Sequence, residues 1–235
     1  MIDTETDSDV GVNVWISFAD VFAGLLLIAL MGLVVVLGKH SAEDVRFSSS
    51  LVQAMNRATE ITKQITKQMQ ATLGKQLPAK ATQTQYSETE IVIPEGTLFA
   101  PLGFDDYLSD AKKREVLTSI RQALKDSLDQ AGAERKYVRI VIEGHTDSDP
   151  IRPSKMSREI PTNWELSSRR ATGVLRFFEE GGLRAQDYNI VAMGLADTKP
   201  VGPNTSDAEK SLNRRIVIRI VPDLDKLRAS LPTGH

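Results

Sequence analysis

The chain has no cysteine among its 235 residues. Disulfide staples and thiolate chemistry, whether for zinc or for nucleophilic attack, are therefore excluded. It has no excess of positive charge either, with a formal net charge of −2. That removes the global basic field that draws a protein to nucleic acid, so no nucleic-acid partner is expected. Histidine is scarce at three residues, and the one inside a motif, His145, has no second histidine or cysteine nearby. A local hydrogen-bonding role suits it better than metal or base chemistry. Gly-rich phosphate loops and nucleophile elbows are missing. No carboxylate pair, nucleophile or metal set has a spacing that supports hydrolysis. The sequence therefore reads as a non-enzyme without a cofactor, and it shows no repeat at solenoid periods.

A different absence marks the N-terminal region. Val21 to Gly38 is a run of 18 residues without a polar side chain, and only Ser17 and Asp20 interrupt the 24 residues from Trp15 to Gly38. As a helix this stretch spans about 36 Å, enough to cross a bilayer core. Residues 1–14 contain no Lys or Arg but do contain Asp3, Glu5, Asp7 and Asp9. That is the wrong flank for a signal peptide, so a retained transmembrane helix is expected over 15–38, behind a tail of residues 1–14. The first cations after the span are Lys39 and Arg46. Taken alone, they place the C-terminal part on the cytoplasmic side.

Asp20 stands out within that span. An ionised aspartate at membrane depth costs roughly 2.5–3.5 kcal/mol on insertion scales, and such residues face a water path or another helix. Trp15 is a suitable interfacial anchor. Ser17, Gly24, Ile28 and Gly32 share the Asp20 face. Small residues at Ser17, Gly24 and Gly32 let a second helix approach closely. The face is thus expected to be a helix–helix seam with Asp20 as its ion-handling group. The alternative is a polar residue tolerated by water near the membrane edge.

Residues 39–87 read as a helical linker. Phe47, Leu51, Ala54, Ala58, Ile61 and Ile65 are spaced 4, 3, 4, 3 and 4 apart, and Met69 and Leu73 continue the line after a slip. Such a seam serves either an amphipathic helix lying on its own domain or a parallel pair of helices. The narrow, alanine-bearing stripe favours the pair, hence a dimerising linker. Leu77-Pro78 stops the helix, and residues 79–88 form a polar connector.

Beyond it lies an α/β pattern over 88–222, followed by a C-terminal tail of residues 223–235. Strands are predicted at 90–93, 137–143, 189–193 and 215–221 from their alternation. In the second of these, Val138, Ile140 and Ile142 oppose Arg139, Val141 and Glu143. A helix capped by Ser109 runs to Gln130 with Val116, Ile120, Ala123, Leu124 and Leu128 on one face. Thr162 and Glu165 form a capping box that opens another helix, which ends at Gly181-Gly182. The fold class is a single N-terminal transmembrane α-helix, a helical linker, and a mixed sheet covered by helices.

The chemistry gathers in three pieces: Glu143-Gly144-His145-Thr146-Asp147, then Asn163-Trp164-Glu165-Leu166-Ser167-Ser168-Arg169-Arg170-Ala171, and Asn213-Arg214-Arg215. Asp147 lies just past a strand end, where sites are commonly built. Arg170 sits two turns after a helix cap and can face the same loop. A carboxylate and a guanidinium converging on one pocket suit a ligand with both an ammonium and a carboxylate. A structural Asp147–Arg170 ion pair is equally compatible. Trp164 is expected to pack near the helix start, and Arg169 and Arg176 suit a solvated helix face.

These three spaced pieces resemble the OmpA-like peptidoglycan-binding domain over about 88–222. The resemblance implies that Asp147 and Arg170 hold the diaminopimelate of the stem peptide and that Thr146, Asn163, Leu166 and Arg214 shape the pocket. The loop Ser148 to Thr162 is longer than in many such domains. Asn163-Trp164-Glu165-Leu166-Ser167 and Trp15-Ile16-Ser17-Phe18-Ala19-Asp20 resemble the B subunits of ion-driven stators, the MotB family. In that family a single span carries the ion-carrying aspartate, which corresponds to Asp20. The resemblance implies a bacterial inner-membrane protein with a cytoplasmic N-terminus and a periplasmic domain, against the local charge bias. It also implies a homodimer within a ring, a pentamer, of a multi-span A subunit, moving H+ or else Na+. The short acidic tail and Phe18-Ala19-Asp20-Val21-Phe22-Ala23-Gly24-Leu25-Leu26-Leu27 look more like the ZorB subunits of Zorya anti-phage systems than flagellar MotB. A passive membrane-tethered wall anchor is the alternative of another class.

Overall fold

The computed structural model describes residues 7–76, 89–100, 103–151 and 159–231. For 7–21, 40–44, 74–76 and 106 the description is of the backbone. A long helix, α1, occupies Asp7–Gln76. Two compact units divide the chain: the first extends to Val52, and the second is Gln53–Ser230.

In the first unit, Phe22–Lys39 is long and apolar enough to cross a membrane, with a mean hydropathy of 2.4 and none of its window buried. Phe22, Leu26, Ile28 and Val34 all turn outward. Gly24 and Gly32 have open space where a side chain would stand. Ser17 and Asp20 belong to the helix, but their side chains lie outside the described residues.

In the second unit a mixed four-stranded sheet has the order β1-β4-β2-β3. The strands are β1 (Glu90–Pro94), β2 (Val138–His145), β3 (Ile190–Gly194) and β4 (Arg215–Pro222). β4 pairs antiparallel with β1 and β2, and β2 pairs parallel with β3. The expected alternation holds. Ile91, Ile93, Val138, Ile140, Ile142, Ile216, Ile218 and Ile220 all enter one core, because successive strand side chains point to opposite faces.

Two helices cover that apolar face. The first, α3 (Ala111–Gln130), buries Leu117, Ile120, Ala123, Leu124 and Leu128. Its cap is Asp110, one residue later than expected: the Asp110 carboxylate accepts from Lys112 N at 2.9 Å and Lys113 N at 3.3 Å. A carboxylate at this position also favours the positive end of the helix dipole. The second, α4 (Asn163–Glu180), opens on the predicted Thr162–Glu165 capping box and buries Leu166, Arg170, Ala171, Val174, Phe177 and Phe178. It presses hard on the sheet. A Cβ at Gly144 would stand 2.1 Å from Ser167 O, and one at Gly194 would stand 2.2 Å from Ser168 Oγ. The two glycines pair across β2 and β3, so this crossing point admits only glycine on both strands.

The linker seam ends up against the domain itself. Ala58, Ile65, Met69 and Leu73 are buried, and Ile65, Met69 and Leu73 join the same core as the sheet. This is the amphipathic-helix alternative of the sequence rather than the two-helix contact, at least from Ala58 to Leu73. The physical reason is the lower turns, where Ile, Met and Leu offer far more apolar area than the alanines above them. Arg57 and Glu134 form a 2.8 Å ion pair along the same contact.

The short helices are α2 (Glu95–Leu98), α5 (Ala185–Tyr188), α6 (Asp207–Asn213) and α7 (Leu224–Ala229). α7 lies within the expected C-terminal tail, and Leu227 anchors it in the interior.

Candidate functional site: a charged pocket at one end of the sheet

The site follows from strand register. Pro94 at the end of β1 and His145 at the end of β2 both face Arg215, the first residue of β4. The residues just beyond these ends are Glu95, Arg214, Thr146 and Asp147, so the antiparallel pairing alone gathers two acids and a base. The backbone ties them further, with Glu95 N donating to Arg214 O at 2.9 Å. The start of α4 arrives at the same end because Gly144 and Gly194 seat the helix there.

The result is a cavity of about 320 Å³ lined by Glu95, Thr146, Asp147, Asp149, Pro150, Ile151, Asn163, Leu166, Arg170 and Arg214. All six pocket residues singled out in the sequence, Thr146, Asp147, Asn163, Leu166, Arg170 and Arg214, are on its wall. The ion pairs, however, differ from the one anticipated. Arg214 Nη1 donates to Asp147 Oδ2 at 2.6 Å and Arg214 Nε to Glu95 Oε2 at 2.6 Å. Arg170 pairs with the other oxygen of Glu95, and its Nε donates to Gly103 O at 2.8 Å. Its guanidinium also lies 5.2 Å from the centre of the Phe99 ring. Arg170 is only 1% exposed, a depth at which an arginine needs partners on every side. Arg170 thus lies in the pocket with Asp147 but is salt-bridged to Glu95.

Glu95 is the functional residue that sequence reasoning missed. It sits in no motif, and the only hint was an acidic residue directly after a strand end. Burial is the largest influence on the Arg214 guanidinium and opposes its charge. The bonds from Asp147 and Glu95 outweigh it and lift the pKa above the ordinary arginine value. Asn163 Nδ2 donates to Asp147 O at 3.1 Å and Asp149 O at 3.0 Å, shaping the loop. Asp149 is held by Lys210 at 2.8 Å. Thr146 Oγ1 is buried without a hydrogen-bond partner.

Other residues separate from the site. His145 is buried, with Nε2 3.3 Å from Glu143 Oε2. Glu143 also receives Arg219 Nε at 3.0 Å and Nη2 at 3.1 Å. This cluster lies on the sheet face away from the core, which agrees with a local hydrogen-bonding role. Trp164 does not pack at the helix start as expected; it is 51% exposed, because the position after the cap points outward. Arg169 stacks over Phe104, 5.2 Å from the ring centre, on the outer face of α4. Among the described residues no group of His, Cys, Asp or Glu could hold a metal ion.

Comparison with known proteins agrees with this architecture. Residues 107–214 match the OmpA family, so the second unit carries an OmpA-like domain. Two proteins of Bacillus subtilis are similar over shorter stretches. The uncharacterized protein YtxE is 41% identical over 34% of this chain and 31% of its own length. Motility protein B is 37% identical over 35% of this chain and 30% of its own length. The similarity thus spans about a third of those relatives. Among solved structures, a MotB-like protein from Desulfovibrio vulgaris superposes with a TM-score of 0.57 at 24% identity, over 72% of this chain and 96% of that one. The fold is therefore MotB-like.

Proposed function

We propose that this chain is the B subunit of an ion-driven membrane stator, anchored to peptidoglycan through the pocket at the end of the sheet. The observation that carries the anchoring is the convergence of Thr146, Asp147, Asn163, Leu166, Arg170 and Arg214 on one cavity. Residues separated by up to 68 positions in sequence meet there at strand and helix ends, where ligand sites are built. The ligand is a stem peptide of the wall. In this reading the N-terminus is cytoplasmic, the domain is periplasmic in a bacterial inner-membrane protein, and Asp20 carries a proton. Neutral while enclosed and charged when it meets water, Asp20 drives movement between this chain, present as two copies, and a multi-span A subunit arranged as a pentamer.

Anti-phage defence of the Zorya type is the process this reading favours over flagellar rotation. The acidic residues Asp3, Glu5, Asp7 and Asp9 ahead of the span support it. The test of anchoring is co-sedimentation of the full chain with purified sacculi. Asp147→Ala is expected to cut the bound fraction at least about tenfold, the equivalent of one lost charge-assisted contact. Unchanged sedimentation of that variant would refute anchoring through this pocket.

A further inference from the structure

We propose that the pocket recognises its ligand by an ammonium group, and that Glu95 makes it favour a stem peptide whose diamino acid has its side-chain carboxyl amidated or absent. The proposal rests on the wall-binding reading and concerns which wall chemistry the pocket takes.

The argument starts from charge. The cavity wall carries three carboxylates, Glu95, Asp147 and Asp149, against two guanidiniums, Arg170 and Arg214. Both guanidiniums are already engaged by protein carboxylates. Glu95 bonds Arg170 with one oxygen and Arg214 with the other, the latter at 2.6 Å. Arg214 spends a further N–H on Asp147 at 2.6 Å, and Arg170 spends its Nε on Gly103 O. Glu95 therefore stands where a ligand carboxylate would otherwise bind.

An incoming carboxylate has two routes, and both are costly. It can remain beside Glu95, adding a negative charge next to a buried carboxylate in a partly enclosed space, where Lys210 already serves Asp149. It can displace Glu95, which is itself only 7% exposed, leaving that buried charge without its partners. An ammonium meets the opposite situation. Among the described residues, Asp147 Oδ1 takes one hydrogen bond, from Asp149 N at 3.2 Å. Thr146, the preceding residue, lines the same cavity with its Oγ1 buried and unpartnered, and a hydroxyl oxygen can accept an ammonium N–H. Exclusion of the anion and reception of the cation thus come from different side chains of one cavity. A carboxamide is uncharged and escapes the repulsion.

The experiment uses the full chain in detergent micelles and three synthetic stem tripeptides. They end in a diamino dicarboxylic acid with the side-chain carboxyl free, in the same residue with that carboxyl amidated, and in lysine. Wild type is expected to bind the amide and lysine peptides more tightly than the free acid. Glu95→Ser removes the charge and opens its place, so affinity for the free acid is expected to rise about tenfold or more. A cooperative thermal unfolding transition for Glu95→Ser, read by circular dichroism, reports an intact fold. Should Glu95→Ser fail to fold, the wild-type ranking decides alone. Equal or tighter wild-type binding of the free acid overturns the proposal and leaves wall anchoring intact. If the wild type binds none of the three peptides and does not sediment with sacculi, the anchoring reading itself fails.

Discussion

One helix carries two regions that answer to different surroundings. From Phe22 to Leu37 the large apolar residues of α1 are exposed on every side. From Ala58 to Leu73 only one stripe is apolar, and that stripe is buried against the sheet and α3. A stripe needs a protein surface, whereas an apolar cylinder needs a solvent that is apolar throughout. The first region therefore gains nothing from folding in water and everything from a bilayer. The second contributes directly to the stability of its domain. The contrast teaches that continuity of helix does not mean continuity of role: within about twenty residues the hydrophobic pattern passes from all-round to one-sided.

Five substitutions probe that contrast. The largest effect is expected from Asp20→Asn, which removes the only charge in the run from Trp15 to Gly38. On the stator reading, ion flux through the assembled complex should be abolished, while the thermal unfolding of the second unit stays where it was. Flux at the wild-type rate in liposomes would remove Asp20 from any transport role. Next comes the one-sided region. Met69→Ala and Leu73→Ala each delete a fully buried side chain and are expected to cost about 2–5 kcal/mol of domain stability. Leu27→Ala and Val34→Ala in the span should leave the same denaturant midpoint unmoved. Equal effects from both pairs would erase the distinction between the two regions.

The smallest effect belongs to Asp223, at the start of α7. Burial works against its charge, but Asn189 Nδ2 at 2.6 Å, the Lys226 amide and the Arg139 charge together outweigh burial. Its carboxyl is held below the ordinary value of 3.8. A depressed carboxyl contributes stability that is full above the unfolded value and lost as pH falls through the folded one. Asp223→Asn should cost about 1–3 kcal/mol at neutral pH through weakened charge-assisted bonds. The difference from wild type should then close in the acid range below pH 3.8. A gap that persists unchanged at low pH would show that shape, and not charge, explains the residue.

Much of the domain was legible in advance because its signals are local. The alternation of Val138, Ile140 and Ile142, the Thr162–Glu165 capping box and the stop at Gly181-Gly182 depend on neighbours within a few positions. The motif residues of the pocket were legible for the same reason: all but Arg170, two turns into α4, lie next to a strand or helix end. The cap of α3 moved from Ser109 to Asp110 because a serine and an aspartate in tandem offer equivalent acceptors, and only backbone geometry chooses between them. Trp164 faced outward for a similar reason, since its size suggested burial while the turn after the cap directed it away.

What the sequence by itself determined, then, is a helix apolar enough for a membrane, a lone aspartate within it, and six residues of a pocket. The spacing of apolar residues and the identity of strand-end residues are local facts, and local facts survive any arrangement of the rest. Tertiary structure alone decided the partners. The pairing of β1 with β4 brought Glu95 beside Arg214 across 119 positions of chain. That register, and the pressure of α4 on Gly144 and Gly194, placed Arg170 against Glu95 and left Asp147 to Arg214. Charges separated by that much chain become partners only once the sheet has formed, because long-range register is set by core packing and not by the residues that come to meet at its edge.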